Sequence, residues 1–135
     1  MAEYRDLTGH WVGLYRYTAP NDPVPVEIEF VDDGGALTGT SREPNTFRPD
    51  LGSELSARLA GERVEAWVQF TKTYEGFSQP GGDPNYEGLI NAGFTRIAGL
   101  WHFPEYPGFG GSFVLHRKPI ANASITREQS VDIEV

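Results

Sequence analysis

The sequence predicts an all-β fold, an eight-stranded antiparallel up-and-down (meander) β-barrel. Apolar residues recur with a period of two along almost the whole chain, which is the pattern of half-buried strands and not of helices. The 16 Gly and 10 Pro among 135 residues exceed the usual combined share of about 12% and disfavour long helices. Eight short runs follow one another in meander order, and closure into a barrel removes the unpaired edges of an open sheet.

The first four strands are indicated by composition and by turn residues. The first, 9–18, is rich in Trp, Tyr, Val and Leu, which favour strands. The second, 24–31, alternates Val, Ile and Phe with Glu, as expected for a strand with one buried face. Asp33-Gly34-Gly35 predicts a tight turn into the third strand, 37–43, and the fourth is 53–60.

The last four strands complete the barrel. Gly61 and Glu62 are expected to turn the chain into the fifth strand, 63–74, and the others are 86–93, 95–103 and 112–118. We assign residues 1–118 to a single barrel domain, which suits the length of the chain. The C-terminal tail, 119–135, has no strong pattern and receives no structural assignment.

The lengths of the connections alternate. Strands two and three, four and five, and six and seven are joined by about two to four residues, and the other connections are roughly five to eleven residues long. Since alternate connections of a meander lie at opposite ends, the long loops should share one end, here called the mouth, and the short turns the other, the base. Nine prolines fall in or beside the long loops: Pro20, Pro23, Pro25, Pro44, Pro49, Pro80, Pro84, Pro104 and Pro107.

The side chains expected to point inward change character with depth. Those near the base form an apolar plug with one cation: Trp11, Phe30, Leu37, Leu59, Val64, Ile90, Ile97, Leu115 and Arg117. Those toward the mouth are aromatic with a few polar tips, a composition typical of small-molecule sites. A cavity is therefore expected there. Four inward glycines would enlarge it, although strand bending explains them equally well: Gly13, Gly39, Gly88 and Gly99.

The predicted function is small-molecule binding in this aromatic pocket at the long-loop end. The expected ligand-binding residues are Tyr15, Tyr17, Ser41, Glu43, Phe70, Lys72, Tyr86, Trp101 and Phe113. Glu43 and Lys72 either pair structurally, clamp a polar ligand group, or lie at the rim in water, since an unpaired buried charge is costly. Two alternatives remain, a cofactor-free enzyme with Glu43 as general acid or base, and a structural or protein-binding barrel.

Composition disfavours several classes of protein. The net charge of −8 argues against nucleic acid, whose phosphates require Lys and Arg clusters. The chain has no Cys. Its three histidines, His10, His102 and His116, fall on the outward phase, and two of them, His10 and His116, would meet near the base but without a carboxylate partner, so no metal or cofactor is expected. No apolar run follows Met1, so we expect no membrane segment or leader and a cytoplasmic location.

The outward phase of strands one, six, seven and eight is apolar. It carries Val12, Leu14, Leu89, Ala98, Leu100 and Val114, and Trp67 on strand five extends it. Exposed patches of this extent usually mark an interface. The sequence therefore predicts a homo-oligomer formed through these outer faces.

Gly9-His10-Trp11 on the first strand and a basic residue, Arg117, on the last resemble the calycin superfamily of lipocalins, fatty-acid-binding proteins and avidins. Within it, the runs Gly-Ala-Leu-Thr-Gly-Thr at 35–40 and Ile-Ala-Gly-Leu-Trp at 97–101 resemble avidin and streptavidin. The resemblance covers roughly residues 7–118 in pattern. It implies that Trp11 seals the base and that the guanidinium of Arg117 packs across the indole.

The biotin-binding residues of that family are not carried over. Gly13, Ser41 and Glu43 stand where the family has an Asn, a Tyr and a Ser, and Arg117 lies near the position of its Asp. Trp101 matches one ring-stacking Trp, whereas Phe70 and Tyr86 replace two others. The resemblance thus implies a homo-oligomeric barrel with an aromatic site for a ligand other than biotin.

Overall fold

The computed structural model describes residues 4–18 and 22–119, and this part of the chain holds eight antiparallel strands and no helix. The strands are β1 (Gly9–Tyr17), β2 (Val24–Asp33), β3 (Ala36–Pro44), β4 (Glu54–Val64), β5 (Trp67–Tyr74), β6 (Asn85–Ile90), β7 (Arg96–Phe103) and β8 (Tyr106–Arg117). Each strand pairs with the next, and β8 pairs with β1 to close the barrel. The predicted fold is confirmed. Pro20 and the tail beyond residue 119 lie outside the described residues.

The turn between β4 and β5 lies four residues later than predicted. Val64 pairs with Trp67 around a turn at Glu65 and Ala66, and Glu65 takes a positive φ of 55°. Gly61 lies within β4, where a Cβ would come 1.9 Å from the carbonyl oxygen of Gln69. The glycine therefore marks a close approach of two strands and not a turn. Consequently the prediction that Val64 points inward was wrong, and Val64 is 54% exposed.

The connection between β7 and β8 is short. Pro104 and Glu105 alone join the two strands, and the ladder is irregular at His102 and Phe103. The prediction of a long loop ending at residue 111 was wrong because its glycines belong to β8; a Cβ on Gly111 would lie 1.6 Å from the Arg16 carbonyl oxygen. Two long connections that lie wholly within the described residues, 45–53 and 75–84, flank the mouth, whereas the β1–β2 connection, 18–23, is described only in part. At the base, β6 ends three residues early and a five-residue connection, 91–95, precedes β7.

The base of the barrel is closed by Trp11, Arg117 and the segment before β1. The Trp11 Nε1 donates to the Leu7 carbonyl oxygen at 2.9 Å, and the Arg117 guanidinium lies 4.7 Å from the Trp11 ring centre. Arg117 also donates to the carbonyl oxygens of Asp6, Thr8 and Phe94. The packing of Arg117 across Trp11 is confirmed. Leu7, which sequence reasoning missed because it precedes the first strand, is fully buried.

Asp32 fastens the first hairpin to this base. Its Oδ2 accepts from the backbone N of Leu7 at 2.9 Å and from Arg63 Nε at 2.5 Å, and its Oδ1 accepts from Gly35 N at 2.9 Å. Burial alone would raise the pKa of Asp32, but these hydrogen bonds and the Arg63 charge hold it below its usual range. One carboxylate thus ties together β2, β4 and the N-terminal segment.

Candidate functional site

A buried cluster of ionised and phenolic groups lies inside the barrel toward the mouth. Lys72 Nζ donates to Glu43 Oε1, and the two side chains are 3% and 0% exposed. The Tyr15 hydroxyl donates to Glu43 Oε2 at 2.5 Å, and the Tyr74 hydroxyl lies 3.1 Å from each carboxylate oxygen. The interpretation that Glu43 or Lys72 lies at the rim in water was therefore wrong.

Strand alternation and the tilt of the barrel bring these groups together. Ser41 and Glu43 are two positions apart on β3, and Lys72 and Tyr74 are two apart on β5, so each pair points inward from one strand. Strands β3 and β5 are not paired with each other, because β4 lies between them in the sheet. A barrel of eight strands is narrow enough for side chains from such strands to meet across the lumen.

Aromatic rings surround the Lys72 ammonium. Its Nζ lies 4.6 Å from the centre of the Tyr15 ring, 4.7 Å from that of Tyr74 and 5.9 Å from that of Tyr86. A cation within about 6 Å of a ring face is attracted by the ring quadrupole. The ammonium is therefore compensated on one side by the Glu43 carboxylate and on the others by the rings.

Burial shifts the pKa of three groups in the cluster. It raises the pKa of the Tyr15 and Tyr74 phenols far above their usual range, and the negative charge of Glu43 acts in the same direction. Burial lowers the pKa of the Lys72 ammonium, although the Glu43 carboxylate opposes this change. Both phenols therefore remain hydrogen-bond donors to Glu43 throughout the neutral range.

The remaining lumen is occupied by packed rings. Phe70 stacks on Tyr86 at 5.0 Å between ring centres with an interplanar angle of 6°, and Tyr86 stacks in turn on Trp101 at 6.1 Å. Phe113 meets Phe70 and Tyr86 edge-on at 6.0 and 5.2 Å. These rings take up space that the sequence was expected to leave for a ligand.

An internal cavity of about 10 Å³ remains beside the cluster, which is room for roughly one water molecule. It is lined by Tyr15, Ser41, Phe70, Lys72, Tyr86 and Phe113 together with Val26, Ile28, Leu59 and Leu115. Among the described residues, the Oγ of Ser41 is one of two buried side-chain polar atoms without a hydrogen-bond partner. The expected cavity is therefore present only at the size of one small polar group.

The predicted site residues divide into two places. Six of the nine line the internal cavity, and Glu43 joins them through its bonds to Tyr15 and Lys72. Tyr17 and Trp101 instead border an open surface depression of about 550 Å³ beside Pro107 and Gly111. The Trp101 indole N donates to the Arg16 carbonyl oxygen at 3.0 Å, which fixes that ring.

Sequence reasoning missed an aromatic cover over the cluster. Phe47, from the β3–β4 loop, meets Tyr74 at 5.8 Å, and Phe77, from the β5–β6 loop, stacks on Tyr74 at 5.0 Å. The Arg48 guanidinium lies over the Phe77 ring at 4.4 Å. An isolated Phe in each long, polar loop was the only available signal, because strand periodicity says nothing about loop residues.

The inward glycines do not create ligand space. A Cβ on Gly13 would lie 1.9 Å from the Val114 carbonyl oxygen, and a Cβ on Gly99 would lie 1.9 Å from that of Glu87. Both positions therefore require glycine because two backbones approach closely. The ligand-space explanation is therefore not supported at these two positions, where the structure shows a close approach of paired strands.

The described residues define a closed antiparallel meander barrel with an apolar base and a buried polar cluster, an architecture compatible with a calycin-like fold. No protein-family model matches the chain, and no curated protein matches its sequence. The likeness to avidins therefore rests on the sequence pattern alone.

Two kinds of feature are absent from residues 4–18 and 22–119. These residues contain no group of three or more His, Cys, Asp or Glu side chains placed to hold a metal ion. In the same ranges, no helix has the length and apolar character needed to cross a membrane.

Proposed function

We propose that the barrel binds one small molecule in the mouth half of its lumen, with a polar group of the ligand held between Ser41 and Lys72. The observation that carries the proposal is the unpartnered Oγ of Ser41, which is buried among residues of the internal cavity that Lys72 also lines. A buried hydroxyl without a partner costs about 1–3 kcal/mol. A ligand that donates or accepts the missing hydrogen bond recovers this free energy.

The size of the cavity restricts the ligand. Only one water-sized group fits beside Ser41, so the body of a larger ligand must lie toward the mouth and displace rings such as Phe113 or Tyr86. Once they are separated, those rings offer flat apolar faces against which the ligand packs. The ligand class is therefore a flat or short-chained molecule with a small acceptor such as a carbonyl or carboxylate, which suits the donors on Lys72.

The resemblance to avidins supports ligand binding at this end of the barrel but not biotin as the ligand. Gly13, which replaces the family's Asn, has no side chain to offer, and Glu43 is saturated by its own partners. The same saturation argues against Glu43 as a general acid or base. Proton transfer would first require one of its three partners to be displaced.

Titration of the ¹⁵N-labelled protein with benzoate and with benzamide tests the proposal. We expect amide shifts centred on Ser41, Lys72 and Phe113, and weaker binding by about tenfold in Ser41→Ala, the equivalent of about 1.4 kcal/mol. Thr40→Ala is the matched control, because Thr40 lies on the same strand with its side chain exposed. It should bind like the wild type.

Native mass spectrometry of the freshly purified protein provides an independent measurement, since a co-purified ligand adds its mass to the chain. The proposal is contradicted if neither probe shifts any amide, no added mass is found, and a crystal structure shows only one water on Ser41 Oγ. The lumen would then be a filled core, and the barrel a structural one.

A further inference from the structure

An apolar row crosses the outside of the barrel at one level of the sheet. The pairing register places its members directly opposite one another on successive strands. In order from β5 to β2 this outer row comprises Trp67, Leu89, Ala98, Val114, Leu14 and Pro25. Leu89 is 68% exposed, as is Leu100 beside the row. Contiguous apolar surface of this kind is rare on monomers unless something covers it.

The next line of residues on the mouth side is charged at its two ends. Its register runs through Glu87, Leu100, Ser112 and Arg16 on β6, β7, β8 and β1. Glu87 and Arg16 are both exposed. An acid therefore stands at the β6 side and a base at the β1 side, equally far from the line that separates β7 from β8.

From this arrangement we propose that a second copy of the chain covers the outer row. The two copies are related by a two-fold axis that runs outside the barrel, parallel to β7 and β8 and in front of the line midway between them. Such an axis exchanges β6 with β1 and β7 with β8 at the same level, as an isologous interface requires. It sets Glu87 of each copy opposite Arg16 of the other copy. The charge pattern thus selects a second copy over an unrelated partner, which would not need this symmetry.

The same axis matches the apolar residues with one another. Leu89 meets Leu14 of the second copy and Ala98 meets its Val114. At the ends of the row Trp67 meets Pro25. On the base side Arg96 faces His116, a contact that adds no attraction. The interface therefore has an apolar centre and two symmetry-related pairs of complementary charges at its rim, the usual arrangement of stable interfaces.

Sedimentation equilibrium of the full chain tests the proposal. We expect the wild type to sediment as a dimer. Leu89→Lys should raise the dimer dissociation constant by about tenfold or more, since it buries an unpaired charge. Val31→Lys is the matched control, because Val31 is 53% exposed on β2 and lies outside the row; it should leave the dissociation constant unchanged.

A charge exchange tests the position of the axis. Glu87→Arg and Arg16→Glu should each weaken association, because each places like charges opposite one another. The double variant should restore association to within about threefold of the wild type. A wild type that stays monomeric at the highest concentration, a dimer that Leu89→Lys leaves intact, or a double variant weaker than both single variants would overturn the proposal. Circular dichroism checks that each variant is folded.

Discussion

At the scale of single residues, Glu43 organises the interior of the barrel. Its carboxylate is fully buried and accepts hydrogen bonds from Lys72, Tyr15 and Tyr74. The inward phase of β3 and β5 predicted that Glu43 and Lys72 face the lumen, and an ion pair between them was one of three alternatives that the sequence left open. The phenolic partners were not predicted as such, because alternation fixes the face of a side chain and not the reach of its terminal atom.

Removing one member of the pair should be far more damaging than replacing both. Lys72→Met leaves the Glu43 carboxylate buried without its cation and should lower the free energy of unfolding by about 3–5 kcal/mol. The double variant Lys72→Met with Glu43→Leu should recover part of this loss, because apolar residues often substitute for a buried pair, while the Tyr15 and Tyr74 hydroxyls lose their acceptor. Urea denaturation at neutral pH measures both. Equal losses in the two variants would show that the pair is not the source of the effect.

Asp32 predicts how stability depends on pH. Hydrogen bonds from Arg63, Leu7 and Gly35 outweigh burial and hold its pKa below the usual range, so the folded state favours the ionised form. Its contribution is complete above the unfolded pKa of about 4 and is lost as the pH falls through the lower folded pKa.

Asp32→Asn should therefore be less stable than the wild type at neutral pH, and the difference should shrink as the pH falls below about 4. Denaturant unfolding of both proteins across the acid range measures this convergence. Asp33→Asn is the control, since Asp33 is exposed at the same hairpin. A difference that is constant with pH would contradict the assignment to Asp32 ionisation.

At the scale of elements, strand existence was predictable and turn position was not. All eight strands follow from period-two alternation, which reflects one buried and one exposed face. The errors occur at glycines, because a glycine is found both in turns and where two strands approach closely. Gly61 and Gly111 were assigned to a turn and a loop, yet both lie in strands whose backbones approach closely. Only the pairing partner of the residue distinguishes the two roles, and sequence periodicity does not identify that partner.

Gly61→Ala tests this account of β4. The added Cβ would lie 1.9 Å from the Gln69 carbonyl oxygen, so strands β4 and β5 must separate, and overpacking of this kind typically costs about 1–3 kcal/mol. Gly52→Ala is the control because nothing lies within 4 Å of its Cβ position. Thermal unfolding should show a clear loss for the first variant and little change for the second. A Gly61→Ala variant as stable as the wild type would place this residue outside the close strand contact.

At the scale of the whole molecule, the barrel and its closed base were predictable, whereas the volume of the internal cavity was not. The edge argument predicted closure, and Trp11 with Arg117 predicted the sealed base. Five of the six predicted mouth-half aromatics are buried in the core, whereas Tyr17 is only partly buried. The stacking of Phe70 on Tyr86 determines how much space remains. Such packing depends on side-chain rotamers, about which an alternating pattern carries no information.

The pairing of β8 with β1 also bears on how fast the molecule forms. Arg117 bonds to Thr8 across 109 positions of sequence, and the strand pair above it is equally non-local. Every other pair joins two strands that follow one another in the sequence, and the loops between such strands close at low entropic cost. We therefore expect the first and last strands to pair late, after the hairpins between them have formed. That late step is expected to place folding in the slow range of milliseconds to seconds that is typical of non-local β proteins.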